Sequence, residues 1–290
     1  MAKVITFGLQ KGGVSKSTTT GIVAYLLSGG MQKINKNDTS ESREFYNKSY
    51  KVLALDMDSQ GNLTELLTRQ PANNFLNNSI FEAIAYKEPE KFIHSINDNL
   101  DILPANNFLA SFAKWIYTGN MPHTEHGEVF VDYEGIGINQ LNIMLENIKD
   151  NYDFIIIDTP PALSEQTTNA LIASNYVVVL YEASKFCYSA IPNFMETIEH
   201  VRHFNGIKIL GVLRTLNDIR RKDTHFFNEL IERDYPDLIF DTLITRKAST
   251  GRLPLNGFKN NNELNDALSQ FKEFYKEFIM RLKEDGNNDE

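Results

Sequence analysis

Cysteine is almost missing from this sequence: Cys187 stands alone among 290 residues. One thiol excludes an internal disulfide, and it excludes a Cys-rich zinc or iron–sulfur site built within one chain. A reducing cytosol fits that usage. Long apolar runs are missing too, and none approaches the roughly 20 residues needed to cross a bilayer. The opening Met1-Ala2-Lys3-Val4-Ile5-Thr6-Phe7-Gly8 is too short, and too soon followed by Gly and Lys, to read as a secretory leader. Basic charge is outweighed: 29 Lys and Arg against 38 Asp and Glu leave a formal net charge of −9. A protein coated in basic surface is thereby excluded.

The deficit is uneven. Between His200 and Lys222 six basic residues (Arg202, Lys208, Arg214, Arg220, Arg221, Lys222) face one acid, Asp218. Between Thr245 and Asn262 come Arg246, Lys247, Arg252 and Lys259 with no acid. A local basic face on an acidic body can still attract a phosphate backbone.

What is present is ordinary for a globular chain, with 42% hydrophobic and 23% charged residues. Short β-branched runs alternate with helical periodicity. Strands are expected at 3–8, 51–57, 100–103, 153–158, 176–180, 207–213 and 241–245. Phe154-Ile155-Ile156-Ile157 and Val177-Val178-Val179-Leu180 are apolar at consecutive positions, the mark of strands covered on both faces and therefore of a parallel sheet. Helices are expected at 16–28, 62–69, 79–86, 107–116, 137–149, 164–174, 184–204, 224–233 and 262–283. The last places Leu264, Leu268, Phe271, Tyr275, Phe278 and Leu282 on one face. The alternation implies right-handed βαβ units and an α/β, doubly wound, mainly parallel sheet flanked by helices on both faces. One domain over 1–290 is expected, with an exposed insertion at 29–50, rich in Asn, Lys, Ser and Glu, and a surface loop at 118–134.

Directly after the first strand stands Gln10-Lys11-Gly12-Gly13-Val14-Ser15-Lys16-Ser17. Strand, glycine-bearing loop, Lys-Ser and helix is the arrangement that wraps backbone amides around a polyphosphate. Gly12 and Gly13 permit close approach. Lys16 would reach the β- and γ-phosphates, Ser17 would ligate Mg²⁺, and Thr18 would lie by the α-phosphate. A plain Gly-rich turn before a core helix has no need of Lys-Ser there.

This loop, with Thr18-Thr19 after it, resembles the deviant Walker A box, KGGxGK[ST], of the ParA/MinD superfamily. Further matches follow in order. Asp56-Met57-Asp58-Ser59-Gln60-Gly61-Asn62 resembles the family motif DxDPQGN, and Phe154-Ile155-Ile156-Ile157-Asp158-Thr159-Pro160-Pro161 resembles its Walker B strand. Thr168-Asn169-Ala170-Leu171 then follows, and Thr242 to Arg246, Pro254 and Gly257 are similar to the segment that borders adenine. The likeness covers almost the whole chain apart from the two loops, and it implies a P-loop NTPase with ATP and Mg²⁺ as cofactors.

The resemblance assigns roles. Gln10 to Thr18, Arg246 and Pro254 would contact nucleotide. Lys11 would reach the partner subunit's phosphates, so that ATP is sandwiched in a homodimer. Asp158 would hold Mg²⁺ through water, Asp56 would support the metal's hydration, and Asp58 would orient the attacking water, with Lys11, Lys16 and Asp58 as the catalytic set. Any one Asp at a strand end is more simply a helix cap; three beside one phosphate loop weigh against that. Ser15 departs from the family's glycine, which puts normal ATP affinity and turnover in doubt. Ser59 for proline is milder.

A ParA-type chain implies ATP-dependent DNA segregation, nonspecific DNA binding by the ATP dimer, and a ParB-like centromere-binding adaptor that stimulates hydrolysis. It also implies a cytoplasmic protein that associates with the nucleoid in the ATP state. Arg214, Arg220, Arg221, Lys222, Arg246, Lys247 and Arg252 are the candidates for phosphate-backbone contact, with Arg246 shared with the nucleotide. No helix-turn-helix segment precedes the first strand in this sequence, so sequence-specific DNA reading is not expected. The alternatives are a MinD-like membrane-associated positioning ATPase and replication control. Against the membrane, the last helix ends in acids that anionic lipid would repel. An amidoligase-type enzyme shares the fold, though Lys11 and the second motif weigh against it. Cluster-carrying relatives need paired cysteines, which Cys187 cannot supply.

Overall fold

The structure is a computed structural model that describes residues 1–30, 48–119, 137–218, 220–258 and 261–287. Most of the expected insertion at 29–50 and of the expected loop at 118–134 lies outside these residues.

Eight strands form one sheet. In chain order they are β1 (Lys3–Gly8), β2 (Val52–Asp56), β3 (His94–Asn97), β4 (Leu100–Leu103), β5 (Phe154–Asp158), β6 (Tyr176–Glu182), β7 (Lys208–Asn217) and β8 (Ile239–Thr245). Their spatial order is β3-β4-β2-β5-β1-β6-β7-β8. All pairings are parallel except β3 against β4.

The consecutive apolar runs are split between two cores, one on each face. Ile5, Ala54 and Ile156 belong to one cluster, while their chain neighbours Val4, Leu53 and Ile155 belong to the other. Alternation of side chains across a strand requires this split. On the first face pack α1 (Lys16–Leu27), α2 (Asn62–Thr68), α7 (Lys185–Asn205) and α11 (Asn262–Asn287). On the second pack α3 (Ile80–Tyr86), α4 (Phe112–Thr118) and α5 (Gln140–Leu145). The remaining helices are α6 (Glu165–Ile172), α8 (Lys222–Asp234), α9 (Ala248–Gly251) and α10 (Leu253–Asn256).

α1 and α2 approach closely because Gly21 has no side chain: a Cβ there would stand 2.6 Å from Leu66 Cδ2. The apolar stripe of α11, from Leu264 through Phe271 and Phe278 to Leu282, is buried in the first core. Among the described residues no helix is long and apolar enough to cross a membrane.

Differences from the expected elements have local causes. β3 was not expected; it is a four-residue, half-exposed antiparallel edge strand closed by Asn97-Asp98-Asn99. The helix expected at 137–149 is confined to Gln140–Leu145, and a 3₁₀ turn over Lys149–Asn151 leads into β5. The helix expected at 107–116 begins as a 3₁₀ segment, Asn107–Ser111, capped where Asn106 Oδ1 accepts from the Phe108 amide. α9 and α10 are short because Pro254 has no amide to continue a helix and Gly257 turns the chain.

The chain winds to one side of β1 through β2 and β4, then returns through β5 and crosses to β6, β7 and β8. The C-terminal end of β1 is therefore the reversal point at which open α/β sheets bind ligands.

Candidate active site

At that reversal point β1 runs into the loop 9–15, and α1 begins at Lys16. The helix closes its first i−4 bond from the Thr19 amide to the Ser15 carbonyl, 2.9 Å. The amides of Lys16, Ser17 and Thr18 thus belong to the first turn, whose donors a helix cannot satisfy internally. They carry the positive end of the helix dipole.

The loop is held from both sides. Thr215 Oγ1, on β7, donates to the Val14 carbonyl at 3.1 Å, and Thr159 Oγ1 donates to the Phe7 carbonyl at 2.9 Å. Ser15 is the N-cap residue with φ 63° and ψ 28°, in the left-handed region, and its side chain makes no capping bond. A Cβ is disfavoured in that conformation, so the family's glycine has a physical basis here and Ser15 occupies its place under strain.

Lys16 is buried, and its ammonium donates to the Lys11 carbonyl at 2.7 Å and the Leu9 carbonyl at 3.4 Å. Burial lowers its pKa, while the nearby carboxylates of Asp158 and Asp58 favour the charged form. Lys11 lies at the loop surface with its ammonium 5.6 Å from the Phe186 ring centre.

The three acids meet at the strand ends. Asp56 and Asp158 are register partners on β2 and β5, and both are fully buried. Asp158 Oδ2 has no hydrogen-bond partner, and Oδ1 accepts from Thr20 at 3.5 Å. Burial drives the Asp158 pKa well up and neighbouring Asp56 adds to the rise, while the Ser17 hydroxyl and Lys16 oppose it.

Asp56 is placed otherwise. Its Oδ2 accepts from the Thr64 amide and the Thr64 hydroxyl, each at 2.8 Å, and Oδ1 accepts from the Asp58 amide at 3.1 Å. Burial still carries its pKa up to about 7 against those bonds. Asp58 is buried and takes the Gln60 amide at 3.0 Å. The loop, Lys16, Ser17, Asp56, Asp58 and Asp158 thus come together as the sequence implied. No group of three His, Cys, Asp or Glu side chains able to hold a metal occurs among the described residues; a cation here would rely on Ser17, Asp158 and a ligand's own oxygens.

Arg246 pairs with Glu182 at 3.2 Å. Pro254 sits in α10, where its carbonyl accepts from Arg69 Nη1 at 2.7 Å.

Among the basic candidates, Arg214 requires correction. Arg214 is buried on β7, paired with Glu232 and donating to the Phe240 carbonyl at 3.2 Å. It supports α8 and the β7–β8 edge and is not surface for DNA. Arg220 and Arg221 are exposed, but each holds a neighbouring acid, Asp218 at 2.8 Å and Asp223 at 2.5 Å. Lys247 pairs with Asp266 at 3.1 Å and Arg252 with Glu263. The Lys222 side chain lies outside the described residues. Neighbouring Asp218 and Asp223, with Glu232 of α8 and Glu263 and Asp266 of α11, thus neutralise much of what looked like bare positive charge.

Sequence reasoning missed Thr64 and Thr215, the hydroxyls that hold Asp56 and the loop. Thr64 lies two residues past the motif, and no spacing rule marked Thr215.

A family model described as an AAA domain, AAA_31, matches residues 38–209. The chain belongs to this family. The match includes Asp56, Asp58 and Asp158 and begins after the loop 9–15. Among relatives, the sporulation initiation inhibitor protein Soj of Bacillus subtilis is 29% identical over 263 residues, 89% of each chain. A ParA family protein of Chlamydia pneumoniae is 26% identical over 261 residues, 88% of each. Our AAA_31 chain is accordingly of ParA type.

Solved structures agree on the fold. Apo McdA of Cyanothece superposes with a TM-score of 0.74 at 20% identity, covering 97% of this chain and 100% of that one. A plasmid partition protein of Borrelia burgdorferi gives 0.66 at 23% identity, over 98% and 99%. A chain named cobyrinic acid a,c-diamide synthase, from Mycobacterium smegmatis with bound ADP and magnesium, gives 0.65 at 26% identity, over 88% and 91%.

Proposed function

We propose that this ParA-type chain is a Mg²⁺-dependent ATPase for DNA segregation, active as a dimer closed over ATP. The observation that carries the nucleotide reading is Asp158 Oδ2, a buried carboxylate oxygen without a partner at the crest of β5, next to Ser17 and the desolvated Lys16. A buried orphan of this kind is costly unless a ligand or its water completes it. The relative bound to ADP and magnesium supports the same reading.

Each residue then has one task. The loop amides from Gly12 to Thr18 and the Lys16 ammonium bind the phosphates, and the nearby Asp158 and Asp58 favour the charged lysine. Ser17 would hold Mg²⁺ directly, with Asp158 through water and Asp56 behind it, and the bound ion supplies charge neutralisation at the phosphates. Asp58 orients the attacking water. Lys11 reaches across to the other subunit's phosphates, and Arg246 and Pro254 border the base.

The closed dimer binds DNA without sequence preference through Arg220, Arg221, Lys222, Lys247 and Arg252, and a ParB-like adaptor stimulates hydrolysis. Binding to the nucleoid in the ATP state follows. Lys16→Ala should abolish measurable Mg²⁺-ATP binding and hydrolysis while the protein keeps its fold; intact turnover in a phosphate-release assay would remove this site from the mechanism.

The synthase-named relative favours a second reading, an amide-forming ATPase on the same core. Phosphate release from ATP without any carboxylate acceptor, accelerated by DNA, separates partition from that chemistry.

A further inference from the structure

The short helix α2 is fixed at both ends. At its start the Thr64 amide and hydroxyl hold Asp56, directly beneath the Asp58 turn. At its end Arg69, the C-cap residue, adopts φ 64° and ψ 21°. That conformation is unfavourable for any residue with a Cβ, and here it aims the guanidinium across to α10. Nη1 donates to the Pro254 carbonyl at 2.7 Å, and Nη2 donates to the Leu255 carbonyl. Two charge-assisted bonds from one planar fork define a direction as well as a distance.

Gly257 is shaped for the same contact. It has φ 64° and ψ −169°, a region only glycine enters freely. A Cβ on it would stand 2.7 Å from Arg69 Cδ, so the arginine stem lies across the place a side chain would fill. Beyond it Phe258 stacks on Tyr25 of α1, with ring centres 4.2 Å apart. The 253–258 segment is thus fastened to both helices that leave the phosphate and acid loops.

We propose that Arg69 is a positioning residue that sets the base-side wall of the nucleotide pocket by clamping the Pro254 and Leu255 carbonyls over Gly257. The inference rests on the nucleotide reading above and adds to it a route from the Asp58 turn, along α2, to the wall that discriminates bases. Arg69 touches neither phosphate nor reacting atoms. Its loss therefore acts on ground-state and transition-state binding alike, which raises KM and spares kcat.

The test compares wild type, Arg69→Ala, Arg69→Lys and Gly257→Ala in steady-state hydrolysis of ATP and GTP, with binding of magnesium tripolyphosphate, which has no base. Arg69→Ala should raise KM for ATP by about tenfold, as expected for losing one to two charged hydrogen bonds, with kcat within about twofold by the same argument. It should also narrow the preference between ATP and GTP and leave tripolyphosphate affinity unchanged. Arg69→Lys, a point charge that reaches one carbonyl, should fall between, and Gly257→Ala should copy Arg69→Ala. Unchanged ATP KM in folded Arg69→Ala, or an equal loss for ATP and tripolyphosphate, would overturn the assignment while the nucleotide reading stands. Failure of wild type to bind ATP would remove both.

Discussion

Ser15 is one of the residues at which this chain departs from its family's pattern, and its backbone explains the pattern. At φ 63° it holds a conformation that costs an L-residue about 1–2 kcal/mol. Glycine relieves the strain but loses more chain entropy on folding, about 0.5–1 kcal/mol. Ser15→Gly should therefore stabilise the protein by a few tenths to about 1 kcal/mol, read as a rise in thermal midpoint. It should also tighten ATP binding, measured by calorimetry, because the loop amides no longer have a Cβ beside them. A variant with weaker ATP binding would mean that the serine hydroxyl contributes to the pocket, and the strain account would fail.

At the scale of elements, α2 bears more than its seven residues suggest. Thr64 Oγ1 donates to Asp56 and accepts from the Ala105 amide, both at 2.8 Å, so one hydroxyl joins β2, α2 and the turn after β4. Thr64→Val leaves a buried amide unpaired and weakens the hold on Asp56. A destabilisation of about 1–3 kcal/mol in denaturant titration is expected, together with slower hydrolysis as the Asp58 turn loosens.

The elements that build the site were legible because physics writes them densely: strands covered on both faces are apolar at every position, and a phosphate loop needs fixed residue types at fixed spacing. Fold class, the loop and Lys16 followed from that, and Asp56, Asp58 and Asp158 from the likeness of their motifs to those of the ParA/MinD superfamily. β3 escaped because a short, half-exposed edge strand such as His94–Asn97 buries too little to impose a pattern. Thr64 and Arg214 escaped because their roles depend on Asp56 and Glu232, partners that no local window shows.

At the scale of the whole molecule, the distribution of charge decides how the closed dimer we propose engages DNA. Arg220 and Arg221 flank the start of α8 and remain exposed beside their acids. Reversing both to glutamate should weaken ATP-dependent DNA binding and reduce the slope of log affinity against log salt by about 2. Fluorescence anisotropy across a salt series measures this, and an unaltered slope would place the DNA face elsewhere.

The paired cations carry one more consequence. Arg220, Arg221, Lys247 and Arg252 are each paired among the described residues, so a polyanion that reaches them must evict Asp218, Asp223, Asp266 or Glu263. Attachment is then an exchange of one counter-charge for another, and the displaced carboxylate stays tethered nearby, ready to return. Such a surface grips lightly and lets go fast.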